Sequence, residues 1–279
     1  MGEVRRLVGA GSKAIDLDGG DAGLFGPKSA SWRVHGDFTA MMIGGLSALL
    51  MQMLHPAALA GVWDHSNFRK DRLGRLKRTA QFIAATTYGS TAEAERLIAR
   101  VRSIHDRVDG VLPDGTPYFA NDPKLLTWVH VAETSNFLKA FMRYRDPGFS
   151  IADQDRYFAE MAEVARRLGA DDVPVMRRDI EAYLRDMRPE LRVDDRTREV
   201  TGILMTGASP SLALVPFGAL VRQASIDLLP DWAATMHGFR MPAVRKPAIR
   251  MGALAVGSVM RWALKDNSAS RAHRRVASA

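Results

Sequence analysis

The sequence predicts an all-α fold, a single globular domain of about eight to ten helices. Three observations predict it. Apolar residues recur at three- and four-residue intervals along most of the chain, the spacing that gathers them on one helix face. Ser or Asp precedes many of these runs, and Gly or Pro follows them, as helix caps and stops require. No β-branched alternating run of strand length stands out. The 279 residues are 47% apolar and 25% charged, the balance of a globular chain long enough to bury a core unaided.

Residues 1–30 are rich in Gly and Asp without a period and read as a loose arm. Within it Gly9-Ala10-Gly11-Ser12-Lys13-Ala14 mimics a dinucleotide fingerprint, but it lacks the strand before and the helix after that such a motif needs. Asp37 caps an apolar helix through Leu54, which Pro56 ends or kinks. Residues 72–88 form a second helix. Ser90 and Glu93 make a capping box. The helix it opens carries Ala94, Leu97, Ile98, Val101, Ile104, His105 and Val108 on one face, with Gly110 as its C-cap. Asp114 to Tyr118 is a loop. Asp122 and Pro123 open a helix to about Arg145, and Ser150 caps another that ends at Gly169. Further helices are read at 174–187, 195–206, 212–226, 230–237 and 247–265. The organisation expected is an arm (1–30), a helical domain (31–239) and a basic C-terminal helix and tail (240–279).

The net charge of +8 has one location. Residues 240–279 hold nine basic residues and one acid, so the body is neutral. No nucleic-acid-reading motif accompanies the charge, and a nucleic-acid partner is not expected. Ala248 to Leu264 mixes Ile249, Met251, Leu254, Val256, Met260 and Trp262 with Arg250 and Arg261, which suits peripheral membrane contact through the C-terminus. The N-terminus lacks the apolar core of a secretion signal, so a cytoplasmic location is expected. The uncharged stretches between Asp37 and Asp64 and between Glu199 and Arg222 are long enough to span a bilayer. Gly44-Gly45, His55-Pro56, Pro210 and Pro216 interrupt them, and both read as buried helices.

Much chemistry is excluded. Without Cys there is no thiolate nucleophile or ligand. There is no Gly-x-Ser-x-Gly elbow, no phosphate loop and no His-Glu-x-x-His. No Glu-x-x-His occurs, which disfavours a di-iron bundle. What remains is seven His and a basic cluster. His105 lies in an apolar helical stripe, and Leu126, His130, Glu133, Phe137 and Phe141 share one face of another helix. An imidazole aimed at a core must be hydrogen-bonded, stay neutral or bind something. A haem iron suits this setting, since it needs one neutral imidazole on a helix and apolar walls. In Arg75-Leu76-Lys77-Arg78-Thr79, positions 75, 78 and 79 lie on one helix face, where two guanidiniums and a hydroxyl can hold a propionate or an oxygen species. The simpler reading of each is a satisfied core histidine and a solvated basic face.

Several stretches together resemble the helical haem oxygenases that include the rubber oxygenase latex-clearing protein and the fungal oxygenase MpaB. They are Leu54-His55-Pro56-Ala57, His65-Ser66-Asn67-Phe68, Gly74-Arg75-Leu76-Lys77-Arg78-Thr79, His105-Asp106-Arg107-Val108-Asp109-Gly110, Tyr118 to Pro123, Trp128-Val129-His130 and Leu228-Leu229-Pro230. The resemblance covers about residues 32–240. It implies an all-helical fold with a haem-sized apolar pocket, a b-type haem, and O2 as co-substrate. By order and spacing His105 matches the iron ligand, while Arg75 and Thr79 match a distal Arg and Thr. Arg78 stands where the family has a Lys that can ligate iron. Arg does not lose its proton, so that ligation cannot be carried over. His130 is then the candidate for a distal role and the alternative axial ligand. The expected activity is a haem-dependent oxygenase acting on an apolar, isoprenoid or lipid substrate, with a non-catalytic helical haem- or lipid-binding protein at the membrane periphery as the alternative.

Overall fold

The computed structural model describes residues 21–206, 215–264 and 268–277. Among them thirteen α-helices and one hairpin follow in the order α1 (Ala30–His35), α2 (Phe38–Gln52), α3 (Pro56–His65), α4 (Arg72–Tyr88), α5 (Thr91–His105), β1 (Asp109–Val111), β2 (Pro117–Phe119), α6 (Pro123–Tyr144), α7 (Ile151–Leu168), α8 (Arg177–Asp186), α9 (Asp195–Met205), α10 (Val215–Leu228), α11 (Asp231–Met236), α12 (Lys246–Ala263) and α13 (Ser268–Ala277). The side chains read as caps do cap. Asp37 accepts from the Ala40 N–H, Ser90 from Glu93, Asp122 from Lys124 and Leu125, and Ser150 from Asp153. Gly169 closes α7 with φ 107°, the left-handed conformation that glycine adopts without a Cβ penalty.

The most extensive helix contact joins α2 to α6. It is close because Gly44 lies at the crossing, where a Cβ would meet the Asn136 carbonyl oxygen at 2.9 Å and the Phe137 Cα at 3.0 Å. Polar groups inside the contact are paired. Ser47 Oγ donates to Asn136 Oδ1 at 2.7 Å, Trp128 Nε1 to the Gln52 carbonyl at 3.2 Å, and Gln52 Nε2 to the Val129 carbonyl at 3.2 Å. α10 and α12 pack on α2, and α7 packs on α6, α1 and α5. One core cluster gathers Val131, Phe137, Phe141, Tyr157 and Phe158; another gathers Leu50, Leu54, Trp128 and Leu229.

The structure departs from the sequence reading in four places. First, Pro56 does more than stop α2. It occupies the first turn of α3, and the His55 ring Nδ1 accepts from the Ala57 N–H as N-cap. The two helices meet at a bend of 102°, and among the described residues no single helix is long and apolar enough to cross a membrane. Second, α5 ends at His105 with Asp106 as its cap, so Gly110 is not a C-cap. Gly110 instead pairs with Tyr118 in an antiparallel hairpin, where a Cβ would meet the Tyr118 hydroxyl oxygen at 2.8 Å. These three-residue strands are too short to show an alternating pattern. Third, the expected loose arm is anchored by residue 21, since Asp21 accepts from the Thr91 N–H at 2.6 Å and Leu24 and Phe25 pack on the core. The fingerprint mimic lies outside the described residues.

Fourth, residues 240–279 are not an appendage. Ala253 and Gly257 of α12 are buried. Arg250 clasps the buried Asp227 at 2.7 and 3.0 Å, and Arg261 reaches Asp37 at 2.8 Å. Arg143 of α6 also donates to Asp227, at 3.0 Å. Within the expected tail, Ser268–Ala277 forms α13, whose His273 stacks on Trp32.

Gly44→Val should lower stability by about 1–3 kcal/mol in urea denaturation, because the new side chain meets backbone that cannot retreat. Gly45→Ala, whose Cβ meets only Phe137 at 3.5 Å, should leave stability unchanged or slightly raised.

Candidate active site

Arg75, Arg78, Thr79 and His105 lie on a helical hairpin that is most deeply buried at its turn, while His130 lies on α6. Gly89 and Ser90 join α4 to α5, and the two helices pack antiparallel. Arg75 and His105 each lie about 20 Å along their helices from that turn, at ~1.5 Å per residue. They therefore share the hairpin's open end. Burial changes along it. Ala85 to Tyr88, Ala94 and Ile98 are buried, and the Tyr88 hydroxyl donates to the Trp32 carbonyl at 3.0 Å. The uncharged run after Thr79 thus enters the core as its composition requires. Leu76 to Gln81 are six consecutive exposed residues, more than a helical turn, so no face of this stretch is covered. Leu73, Leu76 and Ile104 expose apolar side chains at the same end.

Three histidines have sharply different surroundings. His35 is the satisfied core imidazole, with Nδ1 2.8 Å from Thr87 Oγ1 and Nε2 3.0 Å from the Tyr157 hydroxyl. Burial pulls its pKa down to about 3. His105, the last residue of α5, keeps a buried Nδ1 without a hydrogen-bond partner. Burial lowers its pKa; Asn121 and Asp106 oppose that shift, although Asn121 makes no bond of hydrogen-bonding geometry to the ring. His130, on α6, has a buried Nε2 without a partner, and burial followed by the Arg166 charge brings its pKa down to about 4. Both imidazoles are therefore neutral at neutral pH. His55 is used as a helix cap, and His237 is satisfied by the Leu50 carbonyl at 2.8 Å.

The basic cluster divides. Arg75 is desolvated, and its pKa is lowered by burial and by the Arg78 charge. No carboxylate pairs with it among the described residues. Arg78 lies outside, with Nη1 3.2 Å from Asp71, the N-cap of α4. The Thr79 hydroxyl is exposed and donates back to the Arg75 carbonyl at 3.2 Å. No hydrogen bond or ion pair joins Arg75, Arg78, Thr79, His105 and His130 through their side chains. What the structure brings together is Arg75, Thr79 and His105 at one end of one hairpin.

Glu133 is the group that sequence reasoning undervalued. It lies one turn after His130, and burial pushes its carboxyl up to about 7. The i, i+3 spacing from His130 was its only signal. Two clefts lie elsewhere, one of about 480 Å³ lined by Asp227, Asp231, Phe239 and Lys246, the other of about 230 Å³ beside Phe38 and Arg261. Neither is lined by a candidate residue.

The all-helical domain agrees with the fold of the class the sequence resembled. Residues 32–262 match the family model described as the ER-bound oxygenase mpaB/B'/rubber oxygenase catalytic domain, and the chain belongs to that family. No curated protein and no solved structure matches it significantly.

Glu133 gives a pH-dependent prediction. A carboxyl held at about 7 against an ordinary 4.5 stabilises the fold fully below 4.5, and that contribution is lost as pH rises through 7. Glu133→Gln should therefore match the native protein near pH 5 and exceed it near pH 8, by up to about 3 kcal/mol in urea denaturation.

Proposed function

We propose that this chain is a haem b-dependent oxygenase that uses O2 on an apolar, isoprenoid- or lipid-like substrate. The observation that carries the proposal is the pair of neutral imidazoles, His105 and His130, each with a buried ring nitrogen that has no protein partner. A buried polar atom left unpaired costs about 1–3 kcal/mol, so it calls for a ligand. Among the described residues no group of three or more His, Asp or Glu side chains converges to hold a metal ion. The residues fit a group that brings its own four nitrogen donors and takes one imidazole from the protein.

His105 would hold the iron, since it shares the hairpin's open end with Arg75. The desolvated Arg75 guanidinium would bind a propionate, an anion that neutralises it in place of the missing carboxylate. Thr79, once its hydroxyl turns from the Arg75 carbonyl, adds a hydrogen-bond donor on the same face. Arg78 would not reach the iron, as it stays protonated and bound to Asp71. When bound, the haem supplies the activation of O2. Leu73, Leu76 and Ile104 offer an apolar substrate a surface that water wets poorly. Glu133, poised near neutrality beside His130, can hold or release a proton at its carboxyl oxygens.

The purified protein should show a Soret band that shifts on reduction with dithionite. His105→Ala should abolish stoichiometric haem binding while circular dichroism stays helical. Loss of the band in His130→Ala, with His105→Ala intact, would exchange the two roles. Arg75→Ala should weaken haem binding roughly tenfold in a spectroscopic titration, the size of one charge-assisted contact. Substrate-dependent O2 uptake distinguishes turnover from simple haem or lipid carriage.

A further inference from the structure

Helix α12 has its polarity inside out. An ordinary surface helix turns its apolar stripe to the core and its charges to water. Here Ala248, Met251, Leu254, Ala255, Val259 and Trp262 recur at three- and four-residue steps on the solvent side, and no charged residue interrupts them. Met251, Val259 and Trp262 are 69%, 60% and 64% exposed. The charges point the other way. Arg250 and Lys246 are drawn to Asp227, and Arg261 to Asp37. With the buried Ala253 and Gly257, these ion pairs hold the helix so that its apolar side faces out.

We infer that this outward face docks on a lipid bilayer containing anionic lipid. Charge selects the occupant. Arg240 and Arg245 are exposed at the start of the helix and lie outside the ion pairs that hold Lys246, Arg250 and Arg261. Apolar burial and attraction to anionic headgroups act together on such a helix, where either alone binds weakly. Trp262 supplies an amphipathic ring of the kind enriched at membrane interfaces. A second copy of the chain fits poorly. A helix face of about 21 Å by 10 Å would bury roughly 400 Å² in total, against the ~1,200 Å² of a stable interface, and like charges would repel. The inference does not depend on haem or on oxygenase activity.

The test is co-sedimentation of the full-length protein with phosphatidylcholine vesicles, with and without phosphatidylglycerol. Met251→Asp/Trp262→Asp is the comparison, with circular dichroism to show that it folds. Native protein should bind the anionic vesicles and release them as salt rises. The double variant should bind about tenfold more weakly or worse. Arg240→Glu/Arg245→Glu should weaken binding to anionic vesicles only. Equal binding by native protein and the Met251/Trp262 variant, or binding by neither, overturns the proposal. So does a native dimer in size-exclusion chromatography that this variant converts to monomer, since the occupant would then be a second copy.

Discussion

The close approach of α2 and α6 is the constraint on which the rest of the molecule hangs. Two long helices meet where Gly44 removes the side chain that would hold them apart. Inside the contact, Ser47 with Asn136 and Gln52 with the Trp128–Val129 turn tie one register to the other. Turning α6 by one residue would strand the Trp128 N–H and the Asn136 Oδ1 in the core, at about 1–3 kcal/mol each. The register is thereby fixed, and with it the positions of His130 and Glu133. The remaining helices are laid on this pair, with α10 and α12 on α2 and α7 on α6.

The α4–α5 hairpin obeys a different rule. Its turn end is locked by Tyr88, Ala85 and Ile98, and its open end exposes more than a turn of helix. Elements with few buried contacts open at the lowest free energy, and binding segments are drawn from that end of the range. The turn end is the more deeply packed part of the hairpin, and the other end carries Arg75, Thr79 and His105. A desolvated guanidinium and an unsatisfied imidazole are destabilising features in the isolated chain. Both lie at the same end of the hairpin.

Much of the fold was legible because it is written in local rules. Asp37, Ser90, Asp122 and Ser150 announce helix starts, and each accepts from backbone N–H groups within three residues. What the sequence hid depends on distant partners. His55 has no assignable role until Ala57 is seen to donate to it, and Pro56 looks like a stop until the 102° bend makes it a start. Gly110 is required by Tyr118, across a hairpin too short to leave a period. At the candidate site, periodicity marked His105 and His130 as inward but could not separate them from His35. The partners of His35, Thr87 and Tyr157, lie 52 and 122 residues away. Only the complete fold shows which imidazoles are satisfied and which are not.

The ion pair between Asp37 and Arg261 spans 224 residues of sequence. Asp37 is also the cap that starts α2, so the first helix of the central pair is completed by nearly the last helix of the chain. During synthesis the amino-terminal helices leave the ribosome long before α12 exists. Until it arrives, the buried carboxylate of Asp37 lacks its guanidinium, Asp227 has only Arg143, and the flank of α2 is uncovered. Closing so long a loop is entropically slow, and the waiting intermediate exposes apolar surface. Completing this domain therefore requires its carboxyl-terminal helix, and a chain shortened before α12 would leave Asp37 without its guanidinium and the flank of α2 bare.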